Sequence, residues 1–157
     1  MSRPRVFLDS CVLVEALLAP WSASRAVLIL GRAALFTFVL AEIVIEETER
    51  ALVSKLGAGY GGGRRLRDDY RLLLERLNIE RVPHVSRQEF VAARAWIRHV
   101  NDVPVVAAAV KAKPDWFLTD NVAHFTAEVS ARTGLRIMTP ADFLTAAGSI
   151  FTESGIA

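Results

Sequence analysis

The sequence predicts an α/β fold, a single three-layer α/β/α domain with a mainly parallel central sheet. Short apolar runs rich in β-branched and aromatic residues alternate with longer helical stretches, a pattern typical of a parallel sheet with helices on both faces. The chain has 157 residues, of which 52% are apolar and 23% charged. This composition supports one domain with a substantial core and argues against disorder, so residues 1–157 are expected to fold together.

The apolar runs that we interpret as strands lie at 5–8, 35–40, 115–119 and 135–138, with a weaker candidate at 79–82. If the first, third and fourth of these strands are neighbours, their carboxyl ends meet on one edge of the sheet. An α/β fold places its ligand crevice at that edge.

Helices are predicted between the strands. The predicted helices cover 41–56, 64–77 and 103–111, and a last one opens at Thr139-Pro140. The second has leucines on one side and Arg and Asp on the other, which is typical of an amphipathic surface helix. Asp102 is expected to be the N-cap of the third, because Pro104 follows in the first turn, where its missing N–H has no cost.

One low-complexity segment, Gly57-Ala58-Gly59-Tyr60-Gly61-Gly62-Gly63, separates two of these helices. A phosphate-binding loop would follow a strand and end in Lys-Ser or Lys-Thr, whereas a predicted helix precedes this segment and Arg64-Arg65 follow it. We therefore interpret residues 57–63 as a flexible linker between helices.

The sequence also indicates where in the cell the protein is located. The most apolar stretch, 27–47, is interrupted by charged residues, so no run reaches the ~20 residues that a membrane-spanning helix needs. The first apolar run is broken by Asp9 and followed by Glu15, which is unlike a signal peptide. A cytoplasmic protein without a membrane segment is expected. Cys11 is the only cysteine, which excludes an internal disulfide and a multi-thiolate zinc site.

Acidic residues fall at the edges of the apolar segments. Asp9 ends the first strand, Glu47 and Asp102 lie in or beside predicted helices, and Thr119-Asp120-Asn121 follows another strand. Gathering carboxylates costs about 4 kcal/mol per close pair at an effective dielectric of ~20, and a bound divalent cation offsets that cost. Mg2+ and Mn2+ prefer such oxygen ligands, and this set describes metal-dependent phosphodiester hydrolysis.

Each acid also has a simpler interpretation. Asp9 and Asp102 could each be only a helix N-cap, and Glu47 could be an exposed acid on a helix surface. His99 and His124 have no Cys or His partner at zinc-ligand spacing, so we interpret both as surface residues or as residues behind the ligands.

Five segments together resemble the PIN-domain ribonucleases. They are Phe7-Leu8-Asp9-Ser10-Cys11-Val12-Leu13, the helix glutamate Glu47, Asp102-Val103-Pro104-Val105-Val106-Ala107-Ala108-Ala109, Phe117-Leu118-Thr119-Asp120-Asn121, and Ile137-Met138-Thr139-Pro140-Ala141-Asp142-Phe143-Leu144. The resemblance covers nearly the whole chain.

This resemblance implies a PIN-like fold and an Mg2+- or Mn2+-dependent endoribonuclease similar to the VapC-like toxins of toxin–antitoxin pairs. It implies an RNA substrate, a cognate antitoxin protein and a homodimer. The site residues that it implies are Asp9, Glu47, Asp102, Asp120 and Asn121, with Asp9, Glu47, Asp102 and Asn121 as metal ligands and Ser10 and Thr119 behind them.

The sequence departs from the family pattern at two positions. Cys11 stands where the family has Asn, and the family spacing selects Asn121 as the fourth site residue although Asp120 carries the charge. These departures favour an alternative function, a catalytically silent PIN-like module that binds RNA or protein. A receiver-like phosphoacceptor domain is disfavoured, because Ser10 follows Asp9 where a second acid is needed.

Overall fold

The computed structural model describes residues 2–55 and 62–153, and within them one five-stranded sheet. The strands are β1 Arg5–Leu8, β2 Thr37–Ala41, β3 Ile79–Val82, β4 Trp116–Leu118 and β5 Ile137–Met138. Their order is β3-β2-β1-β4-β5, and every pairing is parallel. The predicted α/β class is confirmed, and β1, β4 and β5 are neighbours as the crevice hypothesis requires.

Eight α-helices connect and flank these strands in the described residues. They are α1 Ser10–Leu18, α2 Ala23–Arg32, α3 Glu42–Lys55, α4 Gly62–Arg76, α5 Arg87–Ala93, α6 Val103–Ala112, α7 Ala127–Thr133 and α8 Pro140–Glu153, with a short 3-10 helix at Val100–Asp102. The predicted helices agree with α3, α4, α6 and α8 within a few residues. Of the predicted linker, residues 57–61 lie outside the described residues, and α4 already begins at Gly62.

The second strand begins two residues later than predicted. Ala34 has a left-handed φ of 61°, and the Leu35 N–H donates to the Leu30 carbonyl oxygen, so the chain is still turning away from α2. Pairing starts at Thr37, whose N–H donates to the Pro4 carbonyl oxygen. Phe36 is nonetheless fully buried, which explains why the apolar run is longer than the strand.

Burial of the central strands shows that both faces of the sheet are covered. Val6, Phe7 and Leu8 are successive residues of β1 and all have 0% exposure. Since successive side chains of a strand point to opposite faces, a strand buried on both faces needs packed layers on either side. The Phe7 and Phe117 rings stack across β1 and β4 with centroids 5.1 Å apart.

Helix α2 approaches β2 closely at Gly31. A Cβ atom at this position would lie 2.2 Å from the Phe38 ring. Glycine is therefore required here for space, because the ring is fully buried and has little room to move.

The opposite, amino edge of the sheet is tied together by Arg5. Its guanidinium group donates to both carboxylate oxygens of Glu80 at 2.6 and 2.8 Å and to the Lys113 carbonyl oxygen at 2.9 Å. Its backbone N–H donates to Asp115 Oδ2 at 2.7 Å. These contacts link β1 to β3 and to the segment that leads into β4.

The apolar stretch 27–47 is divided among the end of α2, β2 and the start of α3. Across residues 2–55 and 62–153, no one helix has both the length and the apolar character needed to cross a membrane. The pair α1 and α2 has them only when taken together, and those two helices meet at an angle of 95°.

Candidate active site

The site lies where the strand order reverses, between β1 and β4. β2 and β3 lie on one side of β1, and β4 and β5 lie on the other. The connections that follow β1 and β4 therefore run in opposite directions, which opens a crevice at the carboxyl ends of these two strands. Asp9 directly follows β1 and Thr119 directly follows β4. The Asp9 N–H donates to the Leu118 carbonyl oxygen at 3.0 Å, which holds the two strand ends side by side.

Asp9 is a buried carboxylate, with only 6% of its surface exposed. Oδ1 accepts from the Ser10 N–H at 2.8 Å as the cap of α1, and Oδ2 accepts from the Thr119 hydroxyl at 2.8 Å. Burial raises the pKa of Asp9, and the charge of Asp102 raises it further, while the hydrogen bonds from Thr119 and Ser10 oppose the rise. Asp9 is thus a helix cap, as one interpretation held, and also a site carboxylate.

Glu47 lies on α3 and is half-buried, close enough to Asp9 and Asp102 for their charges to affect its ionisation. Burial raises the pKa of Glu47, and the charges of Asp9 and Asp102 raise it further. A hydrogen bond from the Ser10 side chain partly offsets this rise. Because both other acids act on it, the interpretation of Glu47 as an isolated surface acid is disfavoured.

Asp102 lies at the start of α6, with Pro104 in the first turn as expected. It occupies the N-cap position, but its side chain makes no capping hydrogen bond. Its Oδ2 atom instead lies 2.6 Å from Nδ1 of His124. The cap interpretation therefore holds for the backbone position of Asp102 and does not account for its carboxylate.

In the turn after β4, Asp120 interacts with nearby acids through its side chain, whereas Asn121 contacts Thr119 through its backbone. Asp120 is exposed, and partial desolvation raises its pKa, with the neighbouring Glu15 and, less strongly, Asp9 raising it further. The Asn121 N–H donates to the Thr119 hydroxyl oxygen at 3.0 Å. Thr119 is fully buried and connects this turn to Asp9.

Cys11 stands beside the two buried partners, with Sγ 3.5 Å from both Asp9 Oδ2 and Thr119 Oγ1. Burial and the Asp9 charge raise the pKa of the Cys11 thiol to about 11. The side chain is therefore a neutral thiol near pH 7, a weak hydrogen-bond donor where the family has an amide.

The donor chemistry fits a hard divalent cation, because the crevice offers carboxylate oxygens whose charges act on one another. In the ranges 2–55 and 62–153, no three His, Cys, Asp or Glu side chains converge closely enough to enclose one ion. The arrangement is an open set of acids. An ion such as Mg2+ suits it, since Mg2+ keeps several waters and binds one or two carboxylates together with substrate phosphate oxygens.

Two contributors to the site were not predicted from the sequence. Glu15 acts on Asp120, and His124 contacts Asp102. For Glu15 a signal existed, since Cys11, Glu15 and Leu18 have the i, i+4, i+7 spacing of one helix face and all line the same groove. For His124, the interpretation as a residue behind the ligands agrees with its contact, but its partner could not be read from spacing.

A fully parallel sheet of this order, with an acidic crevice at its switch point, defines an α/β protein whose site is assembled from distant acids. The PIN domain family model matches residues 5–123. The chain therefore belongs to the PIN domain family, as the resemblance implied. Comparison with curated protein sequences finds no match.

Several solved structures share this fold. VapBC2 from Rickettsia felis, bound to a DNA fragment from its promoter, has a TM-score of 0.62 and 18% identity, covering 86% of this chain and 98% of that one. FitAcB from Neisseria gonorrhoeae has a TM-score of 0.61 and 16% identity, covering 86% and 97%. DNA-bound VapBC from Salmonella typhimurium has a TM-score of 0.60 and 14% identity, covering 89% and 99%. At such identities the likeness establishes the fold alone.

Proposed function

We propose that this chain is a divalent-metal-dependent endoribonuclease and the toxin component of a toxin–antitoxin pair. The observation that carries the proposal is that three carboxylates from distant segments lie close together, since the Asp102 charge raises the pKa of Asp9 and both charges raise the pKa of Glu47. PIN domains are generally nucleases. The similar structures of VapBC and FitAcB support the toxin–antitoxin assignment.

Asp9, Glu47 and Asp102 are the acids that would bind Mg2+ or Mn2+, with one or two of them bound directly and water completing the shell. When bound, such an ion lowers the pKa of a water molecule and stabilises negative charge on the scissile phosphate. The side chains of this protein prepare the site for that role. The Thr119 hydroxyl and the Ser10 N–H fix both oxygens of Asp9, and the Ser10 side chain lowers the pKa of Glu47.

The fourth position is Asp120 or Asn121. Family spacing selects Asn121, whereas Asp120 carries a charge, which interacts mainly with Glu15 and less strongly with Asp9. We favour Asp120 as the residue that contributes charge to the ion. Asn121 then serves mainly through its backbone, which donates to Thr119 and so supports Asp9 indirectly.

RNA phosphates would meet cations beside the crevice. Arg50 is exposed one helical turn after Glu47, and its charge acts on that residue. Lys55 lines a groove of about 450 Å3 that also includes Ser10 and Cys11. A polyanion crossing this groove would contact Lys55, and Arg50 would meet phosphates on the side of α3 that carries Glu47.

Purified protein incubated with RNA and Mn2+ tests the activity. Wild type should cleave RNA, EDTA should stop cleavage, and Asp9→Asn should abolish it. Glu75→Gln is the matched control, because Glu75 is an exposed acid on α4. RNA binding without cleavage by wild type would contradict the nuclease and favour the silent binding module.

The antitoxin would cover the groove beside α1. Leu18 lines this groove and is 38% exposed, and Trp21 shortly after it is 99% exposed. An Arg from the partner could pair with the acids at the inner end of the groove, where Ser10 and Cys11 lie. Co-purification with the product of the adjacent upstream gene tests this, and Trp21→Ser should weaken the complex.

We also propose that the protein forms a homodimer and acts in the cytoplasm, where its RNA substrate would be found. Light scattering coupled to gel filtration measures the mass of the particle in solution and so tests the homodimer directly. A mass near 17.3 kDa, that of one chain, would contradict the dimer.

A further inference from the structure

We propose that His124 is a positioning residue that fixes the Asp102 carboxylate for metal binding, and that the His99 ring holds His124 in place. This inference rests on the proposed function, since it assigns Asp102 to the ion. His124 does not itself bind the ion in this proposal.

His124 and Asp102 share a short hydrogen bond, with Nδ1 of His124 2.6 Å from Oδ2 of Asp102. As a metal ligand Asp102 is an ionised carboxylate, which can only accept, so in the proposed site the His124 tautomer carries its proton on Nδ1 and donates it to Oδ2. The hydrogen bond then fixes the plane of the Asp102 carboxylate and leaves Oδ1 as the oxygen that can turn to a cation.

Asp102 needs such a restraint, because its side chain caps no helix. Asp9 is held by a neutral donor, the Thr119 hydroxyl, and the Ser10 side chain lies close enough to Glu47 to lower its pKa. His124 supplies the corresponding donor to the third acid. Restraining a ligand before the ion arrives reduces the conformational entropy lost on binding.

His124 is itself restrained on two sides. The His99 ring stacks on it with centroids 3.4 Å apart and an interplanar angle of 14°. Its backbone N–H donates to the Asn121 carbonyl oxygen at 3.2 Å. The next residue, Phe125, is 3% exposed and packs on the Phe117 ring of β4. The imidazole is thus anchored to the strand end that also carries Thr119.

Calorimetric titration with Mn2+ alone, in the absence of RNA, tests the proposal. His124→Phe keeps an aromatic ring for stacking but removes the donor, and should weaken Mn2+ binding about 10- to 100-fold, the usual effect of removing a residue that orients a metal ligand. His124→Asn places an amide N–H near the position of Nδ1 and should restore most of the affinity.

Variants of His99 test the stacking of the two rings, and His84→Phe is the matched control. His99→Ala should weaken Mn2+ binding less than His124→Phe does, and His99→Phe, which keeps a ring, should restore it. His84→Phe is the control, since His84 also pairs with a carboxylate, Glu46, at 2.8 Å but on the surface. It should leave the Mn2+ affinity unchanged.

The outcomes separate this proposal from the proposed function. If wild type does not bind Mn2+, or binds it equally well after Asp102→Ala, the metal site itself is wrong. If Asp102→Ala weakens binding but His124→Phe does not, the positioning role alone is wrong. A further loss from His124→Phe in the Asp102→Ala background would also contradict it, because a residue that acts through Asp102 has nothing left to orient. Metal-free melting temperatures should match wild type for His124→Phe, and a large fall would assign His124 to folding.

Discussion

The Thr119 hydroxyl donates to Asp9 Oδ2 across 2.8 Å, and both side chains are buried. Thr119 follows β4 and Asp9 follows β1, so this hydrogen bond joins the two strands that flank the crevice. A buried carboxylate that loses a donor of this kind becomes costly to keep ionised.

Thr119→Val should therefore destabilise the protein by about 1–3 kcal/mol at pH 7, the usual cost of leaving a buried polar group without its partner. Urea unfolding measures the difference in the free energy of unfolding. Thr119→Ser retains the hydroxyl and is the matched control. Equal losses in the two variants would assign the effect to packing of the threonine methyl group.

The raised pKa of Asp9 predicts a pH dependence of stability. Between the unfolded pKa, near 3.9, and the higher folded value, the folded state binds more protons than the unfolded state. The contribution of Asp9 is therefore most favourable below about pH 4 and is lost as the pH rises through the folded pKa. Asp9→Asn removes this pH-dependent contribution. In the absence of metal, the free energy of unfolding of the variant, compared with that of wild type, should therefore be more favourable at pH 7 than at pH 4. Parallel unfolding curves for wild type and variant across this range would contradict the prediction.

Mn2+ or Mg2+ should raise the free energy of unfolding by about 2.7 kcal/mol at a hundredfold excess over the dissociation constant. Differential scanning calorimetry checks this, and EDTA should reverse it. The shift should be smaller in Asp102→Ala and unchanged in Glu75→Ala, an exposed acid on α4. Equal shifts in wild type and Asp102→Ala would leave Asp102 without a metal role.

The fourth site position is tested by exchanging charge within the turn after β4. Asp120→Asn should weaken Mn2+ binding, because it removes a carboxylate close enough to Asp9 and Glu15 for their charges to raise its pKa. Asn121→Asp should change it little. Calorimetric titration decides between them, and the reverse pattern would place the ligand at 121, where the family spacing has it.

Cys11 should react slowly with thiol reagents in the folded protein. Its pKa of about 11 leaves little thiolate at pH 7, and the side chain is partly buried. The rate of iodoacetamide labelling, followed by mass spectrometry, should rise with pH through pH 9 and beyond. Unfolding in urea should restore the rate of an ordinary thiol. Rapid labelling of the native protein at pH 7 would show that Asp9 and burial do not control this thiol.

Much of the architecture follows from short-range patterns. The apolar run at 5–8 coincides with β1, because a central parallel strand is buried on both faces. The segment 79–82 coincides with β3, an edge strand that exposes Glu80 and Arg81, which is why its signal in the sequence is weaker. The start of β2 could not be predicted, since Phe36 is apolar for the core but lies in a turn before pairing begins. Burial alone does not define a strand.

The acids of the candidate site could be selected from the sequence, but the contacts that hold them could not. Asp9, Glu47 and Asp102 could be selected because each falls at the edge of an apolar segment, and they act on one another in the structure. The partnership of Asp102 with His124 depends on how the turn after β4 folds back toward α6, across 22 residues. No local pattern encodes such a contact, so sequence spacing gave no sign of it.

The Arg5 contacts lie at the amino edge of the sheet, away from the carboxyl edge where Asp9 and Thr119 stand. The two ends of the sheet therefore differ in their chemistry. The amino end links β1, β3 and the approach to β4 through attractive contacts, whereas the carboxyl end gathers acids that repel one another. Substitutions of these acids leave the Arg5 contacts in place, so metal binding can be compared among variants that share the same amino-end contacts.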